Sequence, residues 1–486
     1  MSRLRSAWIG ASAALAGCAA GPNFHPPAPP AVRTYGAAVA PATAGGQQLL
    51  AGAAPAADWW RSFGSPELDR LMATALARNA DLAAARAALR QAHETWMAQR
   101  GALLPSIDVE LQAQRARNSQ SLAPPLSNNA VTYSLFSGQV NVGYSLDLFG
   151  GVRRANEAAR AQAEQQRFEA EAAYLTLTSN VASAYVQLAA LRDQLAATQA
   201  MVDADRRLVQ LTRLQHDRGQ VSGAEMAQAE AQLAQARNAV PSLDKQIAQQ
   251  VDLLAVLCGM SPAELDVPQG GLAELRLPAT LPLSLPAQMV RQRPDVRAAE
   301  AAVHAASAEL GVAVAARLPN LTLSAAAGGA SPLAGSVLNP ANQLWNITGG
   351  LAQPIFQGGA LLHREHAAQA ALEQAQAQYR SAVLAGFQNV ADVLAAISAD
   401  AEALSADQAA EAAAKRSADV AAERHRAGQV SGVDPLNAQT TALQASLART
   451  QAEAARFTDS IALLVALGGG WSSRNDFDPP HQGGRS

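Results

Sequence analysis

Arg218-Gly219-Gln220-Val221-Ser222-Gly223 recurs further along the chain as Ala427-Gly428-Gln429-Val430-Ser431-Gly432. Each copy interrupts a long Ala/Leu/Gln-rich stretch, and each stretch follows two short segments of alternating polarity. Internal self-similarity outranks chain length as a guide to architecture. The sequence therefore reads as one unit in tandem: two strands, then a long helical hairpin. That plan suits a tube-like assembly better than a compact enzyme.

Composition points the same way. Aromatic residues are only 4% and charged residues 16%, while alanine leads the 49% hydrophobic share. Alanine favours helices and close helix packing, not one thick Leu/Phe core. A net charge of -3, from 37 basic and 40 acidic residues, gives no case for nucleic acid.

Four segments alternate with period two, the mark of strands with one apolar and one wet face. Ile107, Val109, Leu111 and Ala113 interleave with Asp108, Glu110, Gln112 and Gln114. Val140, Val142, Tyr144, Leu146 and Leu148 interleave with Asn141, Gly143, Ser145 and Asp147. The later pair sets Leu321, Leu323 and Ala325 against Asn320, Thr322 and Ser324, then Trp345, Ile347 and Leu351 against Asn346 and Thr348. Strands of about ten residues match a bilayer. Four cannot close a barrel alone, because the smallest bacterial barrels use about eight. Spanning a membrane would thus require several copies.

After each strand pair comes a glycine turn and a helix. The first runs from about Val152 to Arg218 without a proline, on the order of 100 Å at 1.5 Å per residue. Val181, Leu188, Leu195, Val202 and Val209 fall seven apart, with Leu177, Ala184 and Leu191 as companions. This is coiled-coil patterning. Return helices are expected from Ala224 to Leu257 and from Val433 to Leu467, and shorter helices from Pro66 to Leu103 and Pro286 to Leu318.

The N-terminus carries Arg3 and Arg5, an apolar run from Ala7 to Leu15, then Ala16-Gly17-Cys18. This resembles a bacterial lipoprotein signal, with cleavage exposing Cys18 for lipidation. Ala19 after it resembles the signal for outer-membrane delivery. Cys258 alone remains, so no intramolecular disulfide is expected. No later stretch reads as 18 consecutive predominantly apolar residues, so no membrane-spanning helix is expected in the mature chain.

Further segments carry a resemblance across nearly the whole chain. They are Gly21-Pro22-Asn23-Phe24, Trp59-Trp60 with Phe63, Leu103-Leu104-Pro105-Ser106, Leu146-Asp147-Leu148-Phe149-Gly150, Pro354-Ile355-Phe356-Gln357-Gly358-Gly359 and Ala466-Leu467-Gly468-Gly469-Gly470-Trp471. In this order the chain resembles the TolC-like outer membrane factor family, in the lipoprotein branch typified by OprM. The resemblance implies an α+β membrane protein: a homotrimer sharing a twelve-stranded outer-membrane barrel, four strands per protomer, above a periplasmic coiled-coil tunnel. It implies the exit duct of a tripartite efflux system, with a periplasmic adaptor and an inner-membrane pump of RND type as partners. The expected layout is a signal peptide at 1–17, a lipidated extended linker at 18–57, a first efflux repeat at 58–270, a second at 271–471 and a disordered tail at 472–486. Strands are expected near 105–117, 133–148, 319–330 and 343–356, and helical hairpins near 152–257 and 360–467.

The tip residues Gly219, Gln220, Val221, Ser222 and Gly223, with Gly428, Gln429, Val430, Ser431 and Gly432, punctuate helices. The glycines read as left-handed C-caps, and Ser222 and Ser431 as N-caps. The resemblance adds adaptor docking at these tips. It also implies a periplasmic aperture at Val433, Asp434 and Asn437, where the family often has a second Asp in place of Asn437. Glu225 and Gln228 are their weaker first-copy counterparts. His216 and His425 share one repeat position near Arg218, Arg424 and Arg426. Cations there compensate helix C-termini; a pH-sensitive contact is a lesser alternative.

No nucleophile elbow, phosphate loop or metal spacing is present. His363-Arg364-Glu365-His366 lacks the HExxH pattern. Neither an enzyme nor a cofactor, beyond the lipid on Cys18, is expected. The rival readings are a type I protein-secretion duct of the same fold and a periplasmic coiled-coil adaptor without a pore.

Overall fold

The computed structural model describes residues 19–28, 32, 34–35, 43–44, 46–117 and 132–471. The expected signal peptide, Cys18, the 118–131 connection and the 472–486 tail lie outside the described residues. In chain order the strands are β1 (Thr43–Ala44), β2 (Gln47–Ala51), β3 (Ser106–Arg117), β4 (Thr132–Leu146), β5 (Thr280–Leu283), β6 (Asn320–Ser331) and β7 (Gln343–Ala352). The helices are α1 (Pro66–Arg78), α2 (Ala80–Gly101), α3 (Gly151–Asp217), α4 (Gly223–Leu257), α5 (Pro286–Gln292), α6 (Pro294–Ala315), α7 (Ala360–Arg426) and α8 (Val433–Ala466).

The chain divides into two compact units. The first comprises Met1–Pro27, Arg90–Gln165 and Ala299–Tyr379. Its centre is a four-stranded antiparallel sheet in the order β3-β4-β6-β7. The second comprises Ala28–Leu89, Gln166–Ala298 and Arg380–Ser486. Its main core joins Trp59, Trp60 and Phe63 to Leu68, Leu71 and Met72 of α1, Val181, Tyr185 and Leu188 of α3, Leu254 of α4, and Phe457, Ile461 and Leu464 of α8. Of the heptad rows read on α3, all but Leu195 are buried.

Four expectations need correction. The helices expected from Pro66 to Leu103 and from Pro286 to Leu318 are each two. Asn79 adopts an extended conformation. Its Oδ1 accepts from Leu82 N at 2.9 Å and its Nδ2 donates to Leu257 O at 3.0 Å, so it starts α2 afresh. Arg293 is likewise extended, as a residue before proline prefers to be, and Pro294 opens α6.

Strand β7 stops at Ala352, not near 356. Pro354 has no N–H to continue the ladder. The 18–57 linker is not a loose tether throughout. β2 pairs in parallel with β5, and Gln47 is buried, donating from Nε2 to Pro278 O at 3.0 Å and to Ser460 Oγ at 3.1 Å.

Finally, α7 holds a stretch long and apolar enough, by composition, to cross a membrane, the one such helix among the described residues. Only 22% of that stretch is buried. Its many alanines raise the average despite interspersed polar residues.

The largest fully buried side chain is Arg456. Its Nη1 donates to Ile397 O at 2.7 Å and its Nη2 to Gln47 Oε1. Burial raises the nearby Asp459 carboxyl to about 7, assisted by the charge and hydrogen bond of Asp400 and opposed by Arg456. The folded chain therefore holds this proton more tightly than the unfolded chain. That contribution is complete in acid and is lost as pH rises from the ordinary 3.8 to about 7. The thermal midpoint should fall across this interval, and Asp459→Asn should flatten the dependence. An identical slope in that variant would discard the assignment. Arg456→Met removes the donor to two buried oxygens and should destabilise by about 3 kcal/mol in chemical denaturation.

Candidate functional site

The sheet of the first unit has two unlike faces. Register places Ile107, Val109, Leu111 and Ala113 of β3 beside Val142, Val140, Gly138 and Phe136 of β4. Ala325 and Ala327 of β6, then Ile347 and Trp345 of β7, continue the same face. It is apolar, and much of it is bare: Ile107 is 69% exposed, Leu111 82%, Trp345 76% and Ile347 67%. Scattered apolar residues on a surface are ordinary, whereas a contiguous face of this kind marks contact with lipid or protein.

The opposite face is wet. Glu110 Oε2 accepts from Gln139 Nε2 at 3.1 Å and from Asn141 Nδ2 at 3.3 Å, and Ser145 Oγ donates to Asn320 Oδ1 at 3.1 Å. An apolar exterior backed by a polar interior is the alternation of a membrane β-strand around water.

Where β4 passes into α3, Asp147 caps the helix. Its carboxylate accepts from Val152 N at 3.1 Å and Arg153 N at 2.8 Å. This explains the acid in the Leu-Asp-Leu-Phe-Gly motif. The residues just after Cys18 dock at the same turn. Ala20 N donates to Phe149 O at 2.8 Å. Buried Arg154 donates to Ala20 O at 3.1 Å, Asn23 Oδ1 at 2.7 Å and Glu157 Oε2 at 2.7 Å. Phe24 stacks on His304 with ring centroids 4.2 Å apart, and His304 Nε2 meets Glu157 Oε1 at 2.9 Å. Burial opposes the Glu157 charge, but hydrogen bonds from His304 and Arg154 outweigh it and lower its pKa.

The two hairpin tips close alike. Gly219 N donates to His216 O and Gln220 N to Gln215 O, and Gly428 N and Gln429 N repeat the pattern onto His425 O and Arg424 O. Both glycines have positive φ, 70° and 72°, as this Schellman closure requires. His216 Nδ1 lies 3.2 Å from Val221 O, and His425 Nδ1 lies 3.2 Å from Val430 O. Each imidazole thus braces its own loop.

The starts of the return helices differ. Ser222 caps α4 in a full capping box with Glu225, and the bonds from Ser222 N and Oγ hold the exposed Glu225 carboxylate below its usual range. In the second hairpin the capping position falls on Gly432, not Ser431. Ser431 Oγ accepts from Val433 N at 3.1 Å from one residue earlier.

Val433 is half-buried and packs with Leu436 against Val202, Leu208, Val209, Ala229, Leu233 and Ala236. Asp434 and Asn437 are exposed and lie three apart, hence on one face of α8. Gln228 is exposed on α4. Sequence reading missed the group behind this turn. Asp205 of α3 is fully buried, and its Oδ1 accepts from Gln232 Nε2 of α4 at 2.9 Å and Thr440 Oγ1 of α8 at 3.2 Å. Burial raises its pKa against those two hydrogen bonds. The signal was available: Leu177, Ala184 and Leu191 continue at the same spacing as Thr198, Asp205 and Thr212. An acid in a buried heptad row needs partners on neighbouring helices.

His363 and His366 stand edge to face 6.2 Å apart, and Glu365 pairs with Arg317. Among the described residues no group of three or more His, Cys, Asp or Glu could hold a metal ion.

A family profile described as Outer membrane efflux protein matches residues 71–260 and 285–469. The pyoverdine export outer membrane protein OpmQ of Pseudomonas aeruginosa is 33% identical over 433 residues, spanning 87% of this chain and 90% of that protein. The toluene efflux pump outer membrane protein TtgC of Pseudomonas putida is 29% identical over 467 residues, spanning 94% and 93%. Among solved structures, the outer-membrane channel OprN matches with a TM-score of 0.83 at 26% identity, over 93% of this chain and 100% of that one. The open state of the Neisseria gonorrhoeae MtrE outer membrane channel matches with a TM-score of 0.80 at 26% identity, over 93% and 98%. These relatives are channel proteins of Gram-negative outer membranes. With the profile matched over most of its length, the chain belongs to the outer membrane efflux protein family.

Proposed function

We propose that this protein is the outer-membrane exit duct of a tripartite efflux system, passively conducting small molecules. The observation that carries this reading is the two-faced sheet, bare and apolar on one side and wet on the other. Its outer strands β3 and β7 each leave one edge unpaired within the chain, and lipid does not tolerate an open edge. Three copies close the gap by pairing edges into a barrel of twelve strands, with the apolar face toward lipid and Asp108 and Glu110 toward the water-filled lumen. The alike hairpins of α3–α4 and α7–α8 arise from a tandem duplication and form the periplasmic tunnel. Relatives named for pyoverdine and toluene favour small molecules over polypeptides as cargo.

Cys18 carries the lipid, two residues before Ala20, which itself docks at the strand-to-helix turn. The tips at Gly219–Gly223 and Gly428–Gly432 dock a periplasmic adaptor that joins the duct to an inner-membrane pump. Similar closures in both tips support two similar docking sites per protomer. Val433, Asp434 and Asn437 form the resting aperture. Asp434 and Asn437 project from the exposed side of α8, about 100° round the helix from the half-buried Val433 and Leu436, and three-fold symmetry brings three Asp434 carboxylates around one axis.

Asp434→Ala should raise single-channel conductance in planar bilayers severalfold and sensitise cells to large antibiotics. Unaltered conductance would remove Asp434 from the aperture. Cys18→Ser should abolish the mass of an acylated N-terminal peptide and lower the yield of heat-modifiable trimers in outer-membrane fractions. Ser222→Ala should loosen the first tip by about 1 kcal/mol, read as faster amide exchange around residues 219–226 with no matching change at the second tip.

A further inference from the structure

The four strands of the large sheet hold only four charged residues: Asp108, Glu110, Arg115 and Arg117, all on β3. They are sorted by sign. Asp108 and Glu110 share the wet face, whereas Arg115 and Arg117 share the face of Ile107, Val109, Leu111 and Ala113, since side chains two apart point the same way. Both arginines are exposed. Directly opposite them on β4 stand Ser134 and Thr132, on the face that Phe136 also occupies.

Their height is informative. The Ser106 end of β3, which follows α2, pairs with the end of β4 that leads into α3, so Arg115 and Arg117 lie at the opposite end of the strand. Arg115 and Arg117 are eight and ten residues beyond Ile107, about 27 and about 34 Å along the strand at ~3.4 Å per residue, which a barrel tilt of about 40° reduces to about 21 and about 26 Å of height. Those heights are close to the ~25 Å apolar band of an outer-membrane barrel. A lipid-facing arginine is strongly disfavoured at mid-membrane and tolerated near the headgroups. Both arginines stand where the apolar band ends, with two hydroxyls across the ladder within reach.

We infer that Arg115 and Arg117, with the Ser134 and Thr132 hydroxyls, form a docking patch for the phosphate groups of an outer-leaflet glycolipid, the lipid A of lipopolysaccharide. Guanidinium forks suit phosphate oxygens through paired, charge-assisted hydrogen bonds, and the adjoining apolar face receives the acyl chains. This assignment rests on the barrel reading, and adds to it a specific lipid at a specific height.

The test uses full-length trimer, washed free of lipid in detergent and titrated by native mass spectrometry. The probes are bisphosphorylated lipid A and the same lipid dephosphorylated. The parent should prefer the phosphorylated form, and Arg115→Gln/Arg117→Gln should weaken it by about tenfold, as lost charge-assisted bonds predict, leaving both lipids bound alike. Arg115→Lys/Arg117→Lys should keep the preference. The inference is overturned if the glutamine variant binds phosphorylated lipid as tightly as the parent, or loses both lipids equally. Should the glutamine variant fail to assemble, the lysine variant decides, and loss of its phosphate preference rejects the patch. Channel conductance is measured in parallel. A parent without conductance would fell the barrel reading itself, whereas a conducting barrel indifferent to phosphate would fell only the patch.

Discussion

An unpaired strand edge cannot stand in hydrocarbon. Water is absent there, so each free N–H and C=O on an edge costs several kcal/mol. The large sheet ends in such an edge on each side, at β3 and at β7. Much else about the chain fits the proposed closing of it. In the proposed barrel, closure accounts for the scarcity of charge in the strands and for its sorting by face. It also explains the small residues along β6, where Ala325-Ala326-Ala327-Gly328-Gly329 run in succession. A Cβ on Gly328 would sit 2.1 Å from Gly138 O, and one on Gly329 would sit 1.9 Å from Val337 O. Glycine at such points permits the close approach and bending that a curved sheet needs.

The helices face a related problem in water. A helix of 67 residues, the length of both α3 and α7, cannot be held by one compact core. Burial is therefore spread along alanine-rich seams. Within those seams the buried polar groups do the specifying. Asp205 ties α3 to α4 and α8, and Arg456 ties α8 to Ile397 of α7 and Gln47 of β2. An apolar contact tolerates a slip by a turn, whereas a buried carboxylate or guanidinium with fixed partners does not.

What could be read from the sequence was whatever is local or periodic. Period-two alternation marked both faces of the sheet, and Gly219 and Gly428 marked the tips because only a left-handed residue closes a Schellman turn cheaply. What could not be read depends on distant partners. Gln47 looked like linker because its partners, Pro278 and Ser460, lie 231 and 413 residues away. Asn79 looked like a helix interior until its bond to Leu257, 178 residues on, showed it turning the chain. Asp205 was legible in principle, as a polar member of an apolar heptad row, but its meaning needed Gln232 and Thr440 in place.

The two tips also show how similar hairpins can differ in the helices that follow them. Their C-caps and histidine braces are the same, so the divergence lies in the helices that follow. α4 begins with a capping box, Ser222 and Glu225 each satisfying the other's backbone. α8 begins on Gly432 without a side-chain cap, with Asp434 as the acid of its first turn. A glycine cap is weaker than serine by only a few tenths of a kcal/mol, but the reciprocal carboxylate is lost as well. The start of α8 therefore depends less on local capping and more on Val433, Leu436 and Thr440 against α3 and α4. Those contacts belong to one packing arrangement, while a cap would move with its helix. A helix seated mainly by such contacts is held by its neighbours more than by its own cap, which is what the proposed aperture on its first turn needs.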